Sequence, residues 1–288
     1  MTVLGAVALP QLPPEDLAAV GNAAEDSGLD ELWLWEDCFW GGGIAAAATV
    51  LARTERIRVG IGVLPVPLRN VALTAMEVAA LLRMHPGRIL PGFGHGVQEW
   101  MTQIGAGVES PMTLLREQLS ALRALLNGET VTTEGRYVRL DNVALDFAPT
   151  APAPILAAAG GPRTLRLSGE LADGTILTSR TAPQGVRAAR LLIEEGRVKA
   201  GRTEPHRVTV YLAAATGPDA AARLAATARR NGFQEGAGIA GTPDAIAEAV
   251  RRYAAAGADT VVLEPTDDDP DLAGFVRFVG EKVRPLLD

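Results

Sequence analysis

Cysteine is almost absent from this 288-residue sequence: Cys38 stands alone, so no disulfide can form within the chain, and a reducing, cytoplasmic setting is expected. Lysine is nearly as scarce. Lys199 and Lys282 both fall on stretches patterned as outer helices, which leaves a Schiff-base mechanism without its nucleophile. His85, His95 and His206 are scattered with no paired spacing, so no metal site is expected. No apolar run reaches the roughly 18 residues of a membrane span; Gly41 to Ala52, for instance, is stopped by Arg53. The apolar opening, Met1 to Pro10, has no basic segment and runs into Pro13, Pro14 and Glu15, unlike a secretion signal. Positive charge is also in deficit. The 27 basic against 34 acidic residues give a net charge of -7, which repels phosphate backbones and anionic lipid, so neither nucleic acid nor a membrane is expected as a partner.

What is present is an ordinary globular balance, 48% apolar and 21% charged, in which short apolar runs alternate with helical patterns from end to end. Val3-Leu9, Glu31-Trp35, Ile57-Leu64, Arg88-Gly94, Pro154-Ala159, Thr175-Thr178, Arg207-Ala214 and Thr260-Glu264 read as eight strands. Helices are predicted from Pro14 to Ser27, Ile44 to Arg53, Val71 to His85, Pro111 to Leu126, Pro162 to Leu171 and Pro183 to Ala200. Two more, Pro218-Asn231 and Thr242-Ala256, flank a glycine-rich bend at Gly236-Gly241, and an amphipathic helix over Leu272-Leu287 closes the chain. Only Thr130-Pro149 breaks the rhythm; Val131-Thr133 and Tyr137-Leu140 around Glu134-Gly135 suggest a hairpin. The expected fold is therefore an α/β class (β/α)8 TIM barrel, one domain over residues 1–288, with a small hairpin insertion around residues 130–149. Gly60-Ile61-Gly62 and Gly92-Phe93-Gly94 lack the rest of a dinucleotide fingerprint, which counts against an open doubly wound sheet.

Barrel active sites sit on the loops after the C-terminal strand ends. Those loops offer Glu36 to Trp40, Leu64 to Pro67, His95 to Trp100, Gly160 to Arg163, Thr178 to Arg180, and Glu264. Aromatic and apolar loops with glycines that admit a flat ring suit an organic cofactor. The turn Gly160-Gly161-Pro162, with proline at the first position of a helix, leaves amide donors free to cradle a phosphate, and Arg163 would add charge-assisted contacts.

Three blocks then carry a resemblance. Gly60-Ile-Gly-Val-Leu-Pro-Val-Pro-Leu-Arg-Asn70, Gly87-Arg-Ile-Leu-Pro-Gly-Phe-Gly-His-Gly96 and the segment from Ala158 to Gly174 resemble those of the bacterial luciferase-like family, and Gly241-Thr-Pro with Ala-Ala-Gly-Ala-Asp259 extends the match over nearly the whole chain. The third-strand block and short length are closer to the branch of oxidoreductases that use the deazaflavin coenzyme F-420 (8-hydroxy-5-deazaflavin). That resemblance implies hydride transfer between an organic small molecule and coenzyme F-420. An FMN-dependent monooxygenase is the alternative, and a non-catalytic flavin-binding protein the second. It also implies phosphate at Gly160, Gly161, Pro162 and Arg163, further cofactor contacts at Asp37, Cys38, Leu64 and Thr178, and a non-prolyl cis bond between Gly62 and Val63 behind the ring. Glu99 matches the place of an acid/base carboxylate, with His95 next in line. Family barrels commonly dimerise near the second and third units, where the alanine-rich helix Ile44-Arg53 is flat, so a homodimer is expected. One departure stands out: the branch often has Asp-His after the second strand, where this chain has Asp37-Cys38.

Without a basic neighbour in sequence, Cys38 reads as a small filler or soft ring contact and not as a nucleophile. Trp33 and Trp35 read as core, Trp40 as a pocket wall, and Asp267-Asp268-Asp269 as a solvated loop. Arg180, Arg187 and Arg190 are candidates to meet an anionic cofactor tail.

Overall fold

The computed structural model describes residues 2–233 and 236–287; Met1, Gln234, Glu235 and Asp288 lie outside the described residues. The chain runs β1 (Val3–Ala8), α1 (Leu17–Asp26), β2 (Glu31–Leu34), α2 (Gly43–Arg53), β3 (Arg58–Pro65), α3 (Val71–Met84), β4 (Ile89–Gly94), α4 (Gln98–Gln103) and α5 (Pro111–Leu126). A hairpin follows, β5 (Val131–Glu134) and β6 (Arg139–Val143). Then come β7 (Leu156–Ala158), α6 (Pro162–Leu171), β8 (Gly174–Leu177), α7 (Pro183–Ala200), β9 (Arg207–Ala215), α8 (Ala220–Asn231), β10 (Gly238–Ala240), α9 (Pro243–Ala255), β11 (Thr260–Pro265) and α10 (Leu272–Phe278). The parallel strands pair in the order β9, β11, β1, β2, β3, β4, β7, β8, and β8 pairs back onto β9, which closes an eight-stranded barrel.

The strand runs are apolar throughout because both faces are covered: one packs on the helices, the other fills the barrel. Leu4, Ala6, Leu32 and Leu34 belong to the helix-side core, while Val7, Trp33, Leu90, Leu156, Ile176, Tyr211 and Val262 pack together inside. The interior holds its largest side chain by placing none opposite it: a Cβ on Gly60 would lie 2.3 Å from the Trp33 indole. Below Trp33 the N-terminal end is plugged by Glu31, whose carboxylate accepts from Trp33 Nε1 and pairs with Arg58 and Arg207.

Three details differ from the sequence expectations. The glycine-rich bend contains a strand, β10, paired with β9 outside the closed barrel, because the chain after α8 runs back along the last part of β9. The segment after β4 winds into α4, where loop was expected. The terminal helix runs from Leu272 to Leu287 as expected but changes pitch: α10 ends at Phe278 and passes through a wider turn, Val279–Val283, into a tight one, Arg284–Leu287. The hairpin stands where it was expected, and Glu117 of α5 holds its turn by accepting from the backbone N–H groups of Arg136, Tyr137 and Val138.

Candidate active site

The loop after β2 is anchored from its outer side. Glu36 is buried; it accepts from the Gly43 N–H at the start of α2 (2.7 Å) and from Arg69 in the loop after β3. Arg69 also grips Glu77 on α3, and Gln118 of α5 donates to the Val66 and Arg69 carbonyls. Two adjacent mouth loops are thereby tied to three helices, and strand alternation turns the neighbouring Asp37 toward the barrel side. Asp37 is half-buried, and desolvation pushes its carboxyl up to about 6. Burial, then the charges of Asp37 and Glu36, push the Cys38 thiol up as well, away from thiolate chemistry. Phe39 and Trp40 follow, 62% and 57% exposed.

At the end of β3 the register slips: Ile61 pairs with Pro91 and Leu64 with Phe93, so three steps on β3 oppose two on β4. Gly62 and Val63 consequently both face the interior, while Leu64 packs in the helix-side core, where its side chain would meet a Cβ on Gly43. The Gly62-Val63 peptide is cis, and so is Cys38-Phe39, which nothing in the sequence pointed to. Tyr211 of β9 stands directly behind Gly62. Its Oη donates to the Gly62 carbonyl at 3.4 Å, its ring lies 5.6 Å from that of Trp35, and a Cβ on Gly62 would come within 1.9 Å of the hydroxyl.

Glu264, next to last in β11, faces inward two residues after Val262. It is 4% exposed, and its Oε2 has no hydrogen-bond partner among the described residues. Burial pushes its carboxyl up to about 7, the Asp267 and Asp37 charges add to that, and the Ser179 hydroxyl opposes it. Period-two alternation from Val262 could have singled out Glu264; sequence reasoning set Glu264 on the mouth loops without weighing it and passed over Tyr211.

His95 and Glu99 leave β4 on different courses. The His95 imidazole is held below its ordinary range by burial, partly offset by the Pro111 backbone at the start of α5, and its Nδ1 is buried without a partner. Glu99 is exposed in the first turn of α4.

Across the barrel, α6 opens on Gly161 with Pro162 inside its first turn and no side-chain cap. Cβ atoms built on Gly160 and Gly161 meet nothing within 4 Å, so the space before these helix-end amides is open. Pro162, Arg163, Thr178 and Arg180 are exposed around it, and neither arginine has an ion-pair partner among the described residues. Arg190, a sequence candidate for the same anionic ligand, is instead tied to the Gly257 carbonyl and Asp259 at the opposite end of β11, because α7 has by then run down the outside of the barrel.

Among the described residues no cluster of His, Cys, Asp or Glu could hold a metal ion. The closed barrel thus carries an uncapped helix N-terminus and two desolvated carboxyls at its C-terminal end. The family model of luciferase-like monooxygenases matches residues 2–235, and the chain belongs to that family.

It is 32% identical over 243 residues to the 5,10-methylenetetrahydromethanopterin reductase of Methanolobus tindarius, covering 83% of this chain and 72% of that protein. It is 35% identical over 207 residues to an F-420-dependent glucose-6-phosphate dehydrogenase of Nakamurella multipartita, covering 67% of this chain and only 60% of that enzyme. Among solved structures, the coenzyme F-420-dependent tetrahydromethanopterin reductase of Methanopyrus kandleri superposes with a TM-score of 0.85 at 22% identity, over 100% of this chain and 99% of that one. An F-420-dependent secondary alcohol dehydrogenase gives 0.89 at 20%, with the same coverage. At these identities the structural likeness is one of fold.

Proposed function

We propose that this chain is a coenzyme F-420-dependent oxidoreductase acting on a small organic molecule. The observation that carries this reading is the open, uncapped Gly160-Gly161 turn at the mouth, joined to curated relatives named for that coenzyme. A phosphate there would meet backbone donors and the positive end of α6, with Arg163 beside it and the Thr178 hydroxyl from the next loop. The backbone of Gly62, Val63 and Leu64 would back the ring, Asp37 would accept from cofactor hydroxyls, and Cys38 would fill the space beside it. When bound, the coenzyme supplies a carbon centre that takes or gives a hydride. The protein positions the reactants, excludes water and moves the proton, the last assigned to Glu99 with His95 as second candidate.

All of this lies in one domain, and the single thiol fits a reducing cytoplasm; no described helix is long and apolar enough to cross a membrane. A homodimer completes the reading. Leu73, Met76 and Met84 form an exposed apolar stripe along α3, beside the alanine-rich α2. Gly161→Leu tests the cradle: with nothing near that Cβ, the fold should stand while coenzyme affinity falls by about tenfold or more, a lost anion contact or two. Unchanged affinity, measured by quenching of coenzyme fluorescence, would remove the cradle from the site.

A further inference from the structure

A line of packed side chains crosses the barrel from its floor to the backbone at its mouth. Glu31, fixed by Arg58 and Arg207, accepts from the Trp33 indole. The Trp33 ring meets Tyr211 edge-on, with 5.9 Å between centroids and 78° between planes, and Trp35 lies against the same tyrosine at 5.6 Å. Tyr211 is 4% exposed, and burial pushes its phenol up, so the hydroxyl keeps its hydrogen and can donate it. The acceptor is the Gly62 carbonyl, which falls between Ile61 and Leu64, where the pairing of β3 with β4 is interrupted. Two glycines of β3 leave room for this line. A Cβ on Gly60 would fall inside the Trp33 indole, and one on Gly62 would overlap the Tyr211 hydroxyl. Neither glycine has a positive φ, so space and not backbone conformation excludes a side chain at these positions.

We propose that Tyr211 is a positioning residue for the coenzyme: packed against Trp33 and Trp35, it fixes the Gly62 and Val63 backbone at the depth where that backbone meets the ring. The proposal rests on the coenzyme reading above, which makes this backbone the wall behind the ring. A bulged strand end has lost part of its ladder and is free to settle at more than one depth. One hydrogen bond from a side chain that cannot itself move removes that freedom, as a binding surface needs if it is to hold a flat ring in one place. Tyr211 acts on the ring only through Gly62.

The test compares the parent protein with Tyr211→Phe, Gly62→Ala and the double variant, each checked for folding by circular dichroism and titrated with coenzyme F-420 by quenching of its fluorescence. Phenylalanine keeps the ring packing and removes only the donor. Affinity should fall by about threefold to tenfold, the worth of one hydrogen bond, and the absorption band of the bound coenzyme should move, because its ring rests against a displaced wall. Gly62→Ala alone pushes the backbone off the hydroxyl and should weaken binding by at least about tenfold. In the double variant the hydroxyl is gone, the nearest atoms to the new Cβ are ring carbons of Tyr211 and Trp33 at 3.2 Å, and much of the affinity lost in Gly62→Ala should return. Tyr211→Phe with the parent's affinity, or with the absorption band unmoved, would overturn the proposal and leave the coenzyme reading standing. So would a double variant that binds no more tightly than Gly62→Ala. Should either Gly62 variant not fold, Tyr211→Phe decides alone. A parent protein that takes up no coenzyme would overturn both.

Discussion

The two ends of the barrel solve one problem in opposite ways. Glu31 at the N-terminal end and Glu264 at the C-terminal end are both buried carboxyls facing the axis, 0% and 4% exposed. Glu31 is surrounded: Arg58, Arg207 and the Trp33 indole take its oxygens, and Thr260 accepts from Arg207 as well. Glu264 has a serine hydroxyl beside it, two further carboxyls within electrostatic reach, and an oxygen with no partner. A satisfied buried charge locks a fold, whereas an unsatisfied one holds a proton ready and depends on its surroundings. The first end is closed by satisfied charges, and the second keeps a carboxyl unsatisfied.

The sharpest way to break the comparison is at the satisfied end. Glu31→Ala strands two arginines and an indole N–H in the barrel floor, and unfolding in denaturant should show a loss of about 3–5 kcal/mol. A loss under about 1 kcal/mol would mean the plug is ornamental.

Glu264→Gln should act in the other direction and with pH. The folded carboxyl titrates at about 7, above its ordinary 4.5, so the folded chain keeps the proton after the unfolded chain has released it. Stability from this group is full below about pH 4.5, falls by up to about 3 kcal/mol as pH rises to 7, and is flat beyond. Glutamine cannot titrate, so the variant should lose that part of the fall while the similar but smaller contribution of Asp37, raised to about 6, remains. Identical stability at pH 5 and pH 8 in the parent protein would contradict this.

Glu99→Gln should spare coenzyme binding and lower turnover by about 10²-fold, as expected for a lost general acid or base. Full activity would transfer the role to another mouth group, with His95 next. The smallest effect is expected outside the barrel. Met76→Glu places a charge in the apolar stripe of α3 and should shift sedimentation toward monomer with little change in unfolding of the single chain. An unaltered distribution would place the dimer contact elsewhere.

Much of the fold was legible because parallel barrels announce themselves: eight apolar runs, each followed by a helical stretch, most of them with proline near the start and often a glycine past the end, survive local error. The mouth was only partly legible. Gly160-Gly161-Pro162 could be read, since a helix start is a local signal. Glu264 and Tyr211 carry weight through neighbours about 85 to 230 residues away in sequence, Ser179, Asp37, Gly62 and Trp35, and no window along the chain holds those pairs together. The bulge at Ile61 to Leu64 shows the same limit, because a slipped register against β4 decides which side chains turn inward. β10 was missed for a different reason. Three residues, Gly-Ile-Ala, pair only because β9 offers them an edge.

The central claim is that the open cradle at the barrel mouth belongs to a deazaflavin enzyme. Equilibrium titration of the purified, ligand-free protein with coenzyme F-420 and, separately, with FMN tests it most directly. The account predicts that coenzyme F-420 binds at least about tenfold more tightly, a difference of some 1.4 kcal/mol, and that Gly161→Leu weakens its binding. Tight binding of FMN with no uptake of coenzyme F-420 would contradict it.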